Sequence, residues 1–483
     1  MIQITESEIV QRLEFDNPWW KPGVGLDAKT ASYPRRSYFR PFFDLLTSHA
    51  IQRALILLGP RRVGKTVMVF HAISELLKGG KDGRHIMYLS LETPLYTGLP
   101  LERLLGFFLK KFEFRKEAEL YIFFDEVQYF PNWEVHLKSL VDSYPKFRFV
   151  ATGSSAAALR LKSRESGAGR FTEFSLPPLT FAEFLAFVKK EDLVEIKETD
   201  SNAPPQYRIT DISLLNTEFI NYLNYGGYPE AVFIDQIRQD SGRFIKSDII
   251  DKVLLRDLPS LYGIEDIQEL NRLFTTLAYN TGNEVSLEDL SKNSGVAKNT
   301  LKRYLEYLEA AFLVKRITRL DQTAKRLKRA TTFKVYLANP SMRGALFGYA
   351  RETDEQVLGH LAETAIYCQW FHSESVTNLF YARWANGEID IVNLGREGRP
   401  NWAVEVKWSD RLAADPRPLD PLIAFIKTHK LDSLLVTTRT AEKRITYQGL
   451  RVDFVPSALQ AFIVGRNVVK YKFSQEPRSV KPL

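Results

Sequence analysis

Four short runs of apolar, β-branched and aromatic residues punctuate the first third of the chain: Ala54–Leu58, His85–Leu91, Leu120–Phe124 and Phe147–Ala151. Between them the apolar positions recur at helical spacing. Strand-length runs alternating with helical patterns predict a parallel α/β sheet. The pattern breaks over Lys189–Thr210, where alternating charges give way to Asp200-Ser201-Asn202-Ala203-Pro204-Pro205, the composition of a linker. Thr217–Leu313 reads mostly helical, and from Phe380 onward strands return in hairpin form. We therefore expect an α/β domain with an N-terminal extension over residues 1–188, a linker over 189–213, a helical middle over 214–340 and a small α/β domain over 341–483. No internal repeat or low-complexity tract interrupts this order.

The chain has 483 residues, 45% hydrophobic and 26% charged, enough for two to four globular cores and far from a disordered or fibrous composition. No apolar run approaches the ~18 residues that cross a bilayer, and the charged N-terminus lacks the apolar core of a signal peptide. One cysteine, Cys368, excludes an internal disulfide and a zinc cluster built on several thiolates. A cytoplasmic protein without a membrane partner is expected. Its 66 basic and 58 acidic side chains leave a net charge of +8. Location says more: Val296–Ala330 holds ten basic residues against three acidic ones, an excess close to that of the whole chain. Concentrated positive charge suits a polyanionic partner.

Gly59-Pro60-Arg61-Arg62-Val63-Gly64-Lys65-Thr66 follows a strand and opens a helix. Glycines in that position let backbone N–H groups wrap phosphate oxygens, while Lys65 reaches the terminal phosphates and Thr66 supplies an oxygen to Mg²⁺. A second strand ends in Asp125-Glu126, at the edge where open α/β sheets bind ligands. Asp125 is expected to hold Mg²⁺ through water and Glu126 to orient or deprotonate the attacking water, with ATP as the cofactor. The next strand runs into Thr152-Gly153-Ser154-Ser155. Ser154 is the first choice there to touch the γ-phosphate or the lytic water, with Thr152 and Ser155 as rivals. Arg170, after Gly167-Ala168-Gly169, is expected to reach a neighbouring subunit's γ-phosphate; Arg160 and Arg164 compete for that role.

These segments, with Leu176-Pro-Pro-Leu-Thr-Phe-Ala-Glu-Phe184 after them, resemble the AAA-type ATPases of bacteria and archaea, in the branch carrying a C-terminal nuclease-like domain of unassigned function. The resemblance spans nearly the whole chain. It implies an AAA+ P-loop NTPase core with the Thr152 strand inserted beside the phosphate-loop strand, and ring assembly, a hexamer being favoured.

In the middle region, a helix over Ser286–Lys292, the turn Asn293-Ser294-Gly295 and a longer helix over Val296–Phe312 have the form of a helix-turn-helix. Lys298, Asn299, Lys302 and Arg303 would meet duplex DNA. Val314–Thr318 and Phe333–Leu337 would be the strands of a wing, with Lys325, Arg326, Lys328 and Arg329 between them. Contact of this kind neutralises phosphates and is nonspecific in sequence. An alternative is a structural lid of the ATPase.

Toward the C-terminus, two strand patterns flank Asn386-Gly387, a pair that favours a type I′ hairpin. A third strand carries Glu405 and Lys407 on one face. An acid on a helix (Glu363), an acid on a hairpin strand (Asp390) and Glu405-x-Lys407 on the next strand resemble the PD-(D/E)XK nuclease fold, to which archaeal Holliday-junction resolvases belong. Asp390 and Glu405 would bind Mg²⁺, Lys407 would position water, Glu363 would complete the metal shell, and Glu388 is a substitute for Asp390. His360 and Cys368 read as structural. Taken together, the expectation is an ATP-driven oligomeric motor that remodels or cleaves duplex or branched DNA; the alternative is a nucleotide-controlled switch with an inactive nuclease-fold binding module.

Overall fold

In a computed structural model the described residues are 5–48, 52–153, 169–197, 205–324, 332–373, 377–395 and 397–472. The chain divides into two compact units, Met1–Pro177 and Pro178–Leu483.

The first unit is built on five strands: β1 (Ala54–Leu58), β2 (Ile86–Ser90), β3 (Tyr121–Asp125), β4 (Arg148–Gly153) and β5 (Phe171–Ser175). Their order is β2-β3-β4-β1-β5 and every pairing is parallel. β4 thus lies between β3 and the phosphate-loop strand β1, as the family resemblance implies. β1, β3 and β4 are buried along their whole length, so their sequences are almost continuously apolar. The N-terminal extension covers the β2 edge. A capping box between Thr5 and Glu8 starts its helix, Glu6–Asp16. The Asn17 amide then pairs with both backbone groups of Tyr88, donating to its carbonyl at 2.8 Å and accepting from its N–H at 2.6 Å. The indole N–H groups of Trp19 and Trp20 both donate to the Ile86 carbonyl. Edge groups that would otherwise be exposed are satisfied in this way.

The second unit holds β6 (Val194–Lys197) and β7 (Gln206–Ile209) as an antiparallel pair, followed by β8 (Glu284–Ser286), β9 (Val314–Leu320), β10 (Thr332–Leu337), β11 (Leu379–Trp384), β12 (Gly387–Leu394), β13 (Pro400–Glu405), β14 (Ser433–Thr438), β15 (Lys443–Tyr447) and β16 (Leu450–Pro456). The last nine form one sheet in the order β15-β16-β14-β13-β12-β11-β9-β10-β8.

Three boundaries differ from expectation. The first unit ends at Pro177, and the helix Phe181–Phe187 belongs to the second, where the Phe181 N–H donates to Gln369 Oε1 at 2.9 Å and its ring packs on Phe219 and Tyr222. The expected linker contains the β6–β7 pair. No break falls at residue 340, because β9 pairs in parallel with β11 through Tyr381↔Arg319 and Ala382↔Leu320. That pairing occupies a strand edge that a separate middle domain would leave open.

Helices form on both sides of Gly295, where the sequence reading expected them. Helices Ile267–Tyr279, Leu287–Ser294 and Lys298–Ala310 are interleaved with β8, β9 and β10, and Gly295 closes the middle helix at φ 75°. The third helix stops before Phe312, which stands at φ 58°. At the C-terminal hairpin, Trp384 pairs with Gly387, making Ala385-Asn386 the turn. Neither has positive φ, so the type I′ turn is not formed. Gly387 serves instead to admit the Trp384 ring, since a Cβ there would lie 2.5 Å from its Cζ2.

Candidate functional site

The phosphate loop is set by close packing at its start and backbone twist in its middle. Gly59 leaves β1 against the Leu176 carbonyl, where a Cβ would sit 2.2 Å from the oxygen. Arg62 and Gly64 both take positive φ, 65° and 94°. The helix Lys65–Lys78 starts there, and among the described residues no side chain caps its N-terminus, leaving the first turn's amides directed at the loop. Lys65 is buried, its ammonium donating to the Gly59 and Pro60 carbonyls at 3.1 and 2.9 Å. Arg61 donates to the Tyr129 hydroxyl at 2.8 Å.

The end of β3 closes on this loop. Thr66 Oγ1 donates to Asp125 Oδ2 at 2.9 Å, and Tyr88 donates to the same oxygen at 2.9 Å. The Thr152 hydroxyl donates to Asp125 Oδ1 and accepts from the Glu126 N–H at 3.0 Å. Burial, reinforced by the Glu126 charge, raises the Asp125 carboxyl above the usual carboxylate range, while the three O–H donors pull against that rise. Glu126 stands in the left-handed region at φ 57°, a conformation that costs an ordinary residue about 1–3 kcal/mol and clusters at functional sites. Its carboxylate accepts from the Gln128 side-chain amide.

Lys65, Thr66, Asp125 and Glu126 are therefore brought together. Thr152, the rival, is the polar residue of its strand end that meets both acids; Ser154, Ser155, Arg160 and Arg164 lie outside the described residues. Arg170 is elsewhere. It precedes β5 at the edge where the strands begin, whereas the phosphate loop stands where they end, five residues or about 16 Å along β1. Its side chain pairs with Asp142 at 2.6 Å. Two residues escaped the sequence reading: Tyr88, and Arg36, whose buried guanidinium donates to the Val63 carbonyl at 2.9 Å and the Pro177 carbonyl at 3.0 Å, tying the loop to the chain that follows β5. Neither carries a motif: Tyr88 sits in an apolar strand run, and Arg36 is one of several arginines among aromatic residues.

The helix residues expected to meet DNA fall on a solvent face. Lys298, Asn299, Lys302 and Arg303 are exposed, while Leu301, Tyr304, Leu305 and Leu308 of the same helix are buried. Lys298 also reaches Glu288 Oε1 at 3.2 Å. Lys325, Arg326, Lys328 and Arg329 lie outside the described residues.

A second polar cluster assembles around the helix Glu355–Trp370, β12 and β13. Asp390, Glu405 and Lys407 meet: Lys407 Nζ is 2.5 Å from Glu405 Oε1 and 3.5 Å from Asp390 Oδ2, which also accepts from the Val406 N–H at 2.9 Å. Sequence reading missed Lys334 of β10. Its buried ammonium lies 2.9 Å from Glu363 Oε1, 2.6 Å from Glu388 Oε1 and 3.1 Å from Asp390 Oδ1. Tyr336 donates to Glu363 Oε1 at 2.5 Å. A lone lysine inside the apolar strand Thr-Phe-Lys-Val-Tyr-Leu was the available signal, since a charge buried there needs partners.

Burial alone would raise Asp390, but Lys407, Lys334 and the Val406 amide outweigh it and hold the carboxyl at about 2. Burial and the Asp390 charge push Glu405 up to about 8 against the pull of Lys407. Burial and Asp390 also raise Glu363. Desolvation works to lower Lys334, yet its three carboxylates raise it, so it stays charged. The Mg²⁺ expected at Asp390 and Glu405 does not fit this arrangement. Both Asp390 oxygens are engaged by cations or an N–H, an ammonium fills the point where Glu363, Glu388 and Asp390 meet, and no group of three His, Cys, Asp or Glu side chains among the described residues is placed to hold a metal ion. Cys368, as expected, is buried and structural, its thiol donating to the Leu337 carbonyl. No helix among the described residues is long and apolar enough to cross a membrane.

Residues 51–185 match a family model described as an AAA domain, and residues 216–353 match one described as a domain of unknown function. The chain is similar to an uncharacterized protein of Methanocaldococcus jannaschii, 25% identical over 70% of this chain and 72% of that one. It is likewise similar to an uncharacterized protein of Haemophilus influenzae, 25% identical over 66% and 74% of the two chains. Among solved structures, it is similar to AMPPCP-bound DnaA of Aquifex aeolicus, 14% identical with a TM-score of 0.30, over 59% of this chain and 92% of that one. Cdc6p of Pyrobaculum aerophilum gives 14% identity and a TM-score of 0.28 over 72% and 98%. The phosphate loop, the parallel strand order and the paired acids described above all lie within residues 51–185, the segment that matches the AAA domain model.

Proposed function

We propose that this protein is an ATP-hydrolysing, Mg²⁺-dependent AAA machine that acts on DNA, assembled as a homo-oligomer, a hexamer being favoured. The observation that carries the reading is the 2.9 Å hydrogen bond from Thr66 to Asp125, which joins the phosphate loop to the acidic strand end. The residues fit the nucleotide: an open helix N-terminus, a buried lysine with three donors and a hydroxyl beside a carboxylate are the chemistry a magnesium-triphosphate needs. Gly59–Thr66 would cradle the phosphates, Lys65 would reach the β- and γ-oxygens, and Thr66 with Asp125 would hold the ion. When bound, Mg²⁺ neutralises charge on the transferring phosphoryl group.

The chain's own residues do the rest. Glu126 releases Gln128 and accepts the proton of the attacking water, while Thr152 fixes the Glu126 backbone and the Asp125 carboxylate together. Arg170, too far from its own chain's loop, leaves Asp142 to stabilise developing charge at a neighbouring chain's site. The exposed Lys298, Asn299, Lys302 and Arg303 make phosphate contacts to duplex or branched DNA without sequence preference. The nuclease-like cluster grips DNA rather than cutting it, because its acids are already neutralised by Lys334 and Lys407.

A second reading, a nucleotide-controlled switch, is favoured by the Glu126–Gln128 contact, which holds the base until it is released. Steady-state hydrolysis measured with and without linear, forked and four-way DNA tests both. Turnover stimulated by DNA supports the motor. Tight ATP binding with negligible turnover on every DNA supports the switch, and no affinity for ATP removes both.

A further inference from the structure

Lys334 carries a role that the ATPase reading does not use. It comes from β10, yet its ammonium reaches three carboxylates on two other elements: Glu363 on the helix Glu355–Trp370, and Glu388 and Asp390 on β12. An ammonium has three N–H donors, and each of the three acids takes one at 2.6–3.1 Å. Its side chain is 4% exposed, so this is a desolvated charge committed to one position. Such a charge is tolerated only when paired, and removing one partner leaves the others uncompensated.

A separate observation concerns Glu405. Its carboxyl is buried and gives Oε1 to Lys407, but Oε2 has no hydrogen-bond partner among the described residues. That buried oxygen is a hydrogen-bond acceptor left without a donor among the described residues. Lys334 and Lys407 hold Asp390 between them, and Arg383 also pairs with Glu388 at 3.5 Å. Three carboxylate oxygens converging on the Lys334 ammonium are hard donors of the kind a divalent cation also takes.

We propose that the Lys334 ammonium is the built-in occupant of a divalent-cation position, excluding metal from the nuclease-like cluster, and that its removal creates a metal site formed by Glu363, Glu388 and Asp390. The inference rests on the cluster alone and stands whether or not the first unit hydrolyses ATP. β10 thereby supplies the counter-ion of acids on β12, with two strands between them in the same β10-β9-β11-β12 sheet.

The test is Mn²⁺ binding to the full chain without nucleotide, read by electron paramagnetic resonance and calorimetry. Lys334→Ala is expected to bind about one Mn²⁺ more per chain than the unaltered protein. Asp390→Asn in the Lys334→Ala background should abolish that extra ion. Because the acids lose their counter-ion, the measurement is repeated on Lys334→Met, which keeps the apolar stem, with folding followed by circular dichroism. Mn²⁺ should raise the melting temperature of both variants and leave that of the unaltered protein at its metal-free value. The proposal is overturned if the unaltered protein already binds an ion that Asp390→Asn removes. It is equally overturned if neither variant gains an ion, or if both stay unfolded with Mn²⁺ present.

Discussion

Replacing Thr152 with valine keeps the shape of a buried strand residue and deletes a single hydroxyl. In this fold that hydroxyl holds two acids at once, donating to Asp125 and accepting from the Glu126 N–H at 3.0 Å. A hydrogen bond to a charged group is worth about 1.5–3 kcal/mol, and the Glu126 amide loses its acceptor in the same step. If that energy is spent positioning Glu126 in the transition state, turnover falls about 10- to 150-fold, at about 1.4 kcal/mol per tenfold. ATP affinity should stay within about threefold, because Lys65 and the loop amides are untouched. The proton equilibrium moves as well. Burial and Glu126 raise Asp125, and the Thr152, Thr66 and Tyr88 donors oppose the rise. Deleting one donor lets the carboxyl rise further, so the acidic limb of the kcat profile shifts to higher pH. Steady-state hydrolysis from pH 5 to 9 and fluorescent-nucleotide binding read all three effects, and Thr152→Ser should restore them. A Thr152→Val protein with normal kcat and an unmoved acidic limb would refute the assignment.

Arg170→Ala breaks only a half-exposed pair with Asp142, worth about 0–1 kcal/mol, so stability should hold while hydrolysis collapses. Mixing it with Lys65→Ala chains should recover activity, since each supplies what the other lacks; no recovery removes the role between subunits. Lys298→Glu combined with Lys302→Glu should weaken DNA binding most at low salt and reduce the slope of log affinity against log salt by about 2, measured by anisotropy. An unchanged slope would exclude phosphate contact by that helix. Asp410 accepts from the Arg439, Thr440 and Ala441 amides and the Thr440 hydroxyl at 2.7–3.1 Å, and these contacts hold its carboxyl below the usual range despite its partial burial. Its stabilisation is complete above the unfolded value of about 3.9 and is lost as pH falls through the lower folded value. The gap in urea stability between the unaltered protein and Asp410→Asn should therefore be wide at pH 6 and narrow toward pH 3.

Much of the nucleotide site is legible along the chain because its parts are local. Gly59–Thr66 is a contiguous loop bounded by its own strand and helix, and Asp125-Glu126 ends a run of buried apolar residues that could be nothing but an interior strand. The hairpin of β11 and β12 and the strand of Glu405 are equally local, so their existence was visible although the turn chemistry was not. Trp384, by packing over Gly387, displaced the turn by one residue.

Non-local pairing decided the remainder. Amino-acid order marks Thr152, Ser154 and Ser155 as near equals, and only the register of β4 against β1 and β3 turns the Thr152 hydroxyl onto both acids. Arg36 reaches its two carbonyls across 27 and 141 residues of sequence, a separation that periodicity does not encode. Lys334 looks, in isolation, like a misplaced charge on a strand. The fold gives it three carboxylates from 29 to 56 residues away, and with them the electrostatic character of the whole cluster. The sequence by itself determined which segments become strands, which loop takes phosphate and where positive charge gathers, because burial and backbone conformation are set within a few residues. Tertiary structure alone decided which polar atoms meet, because a buried charge is defined by its partners and those arrive from distant parts of the chain.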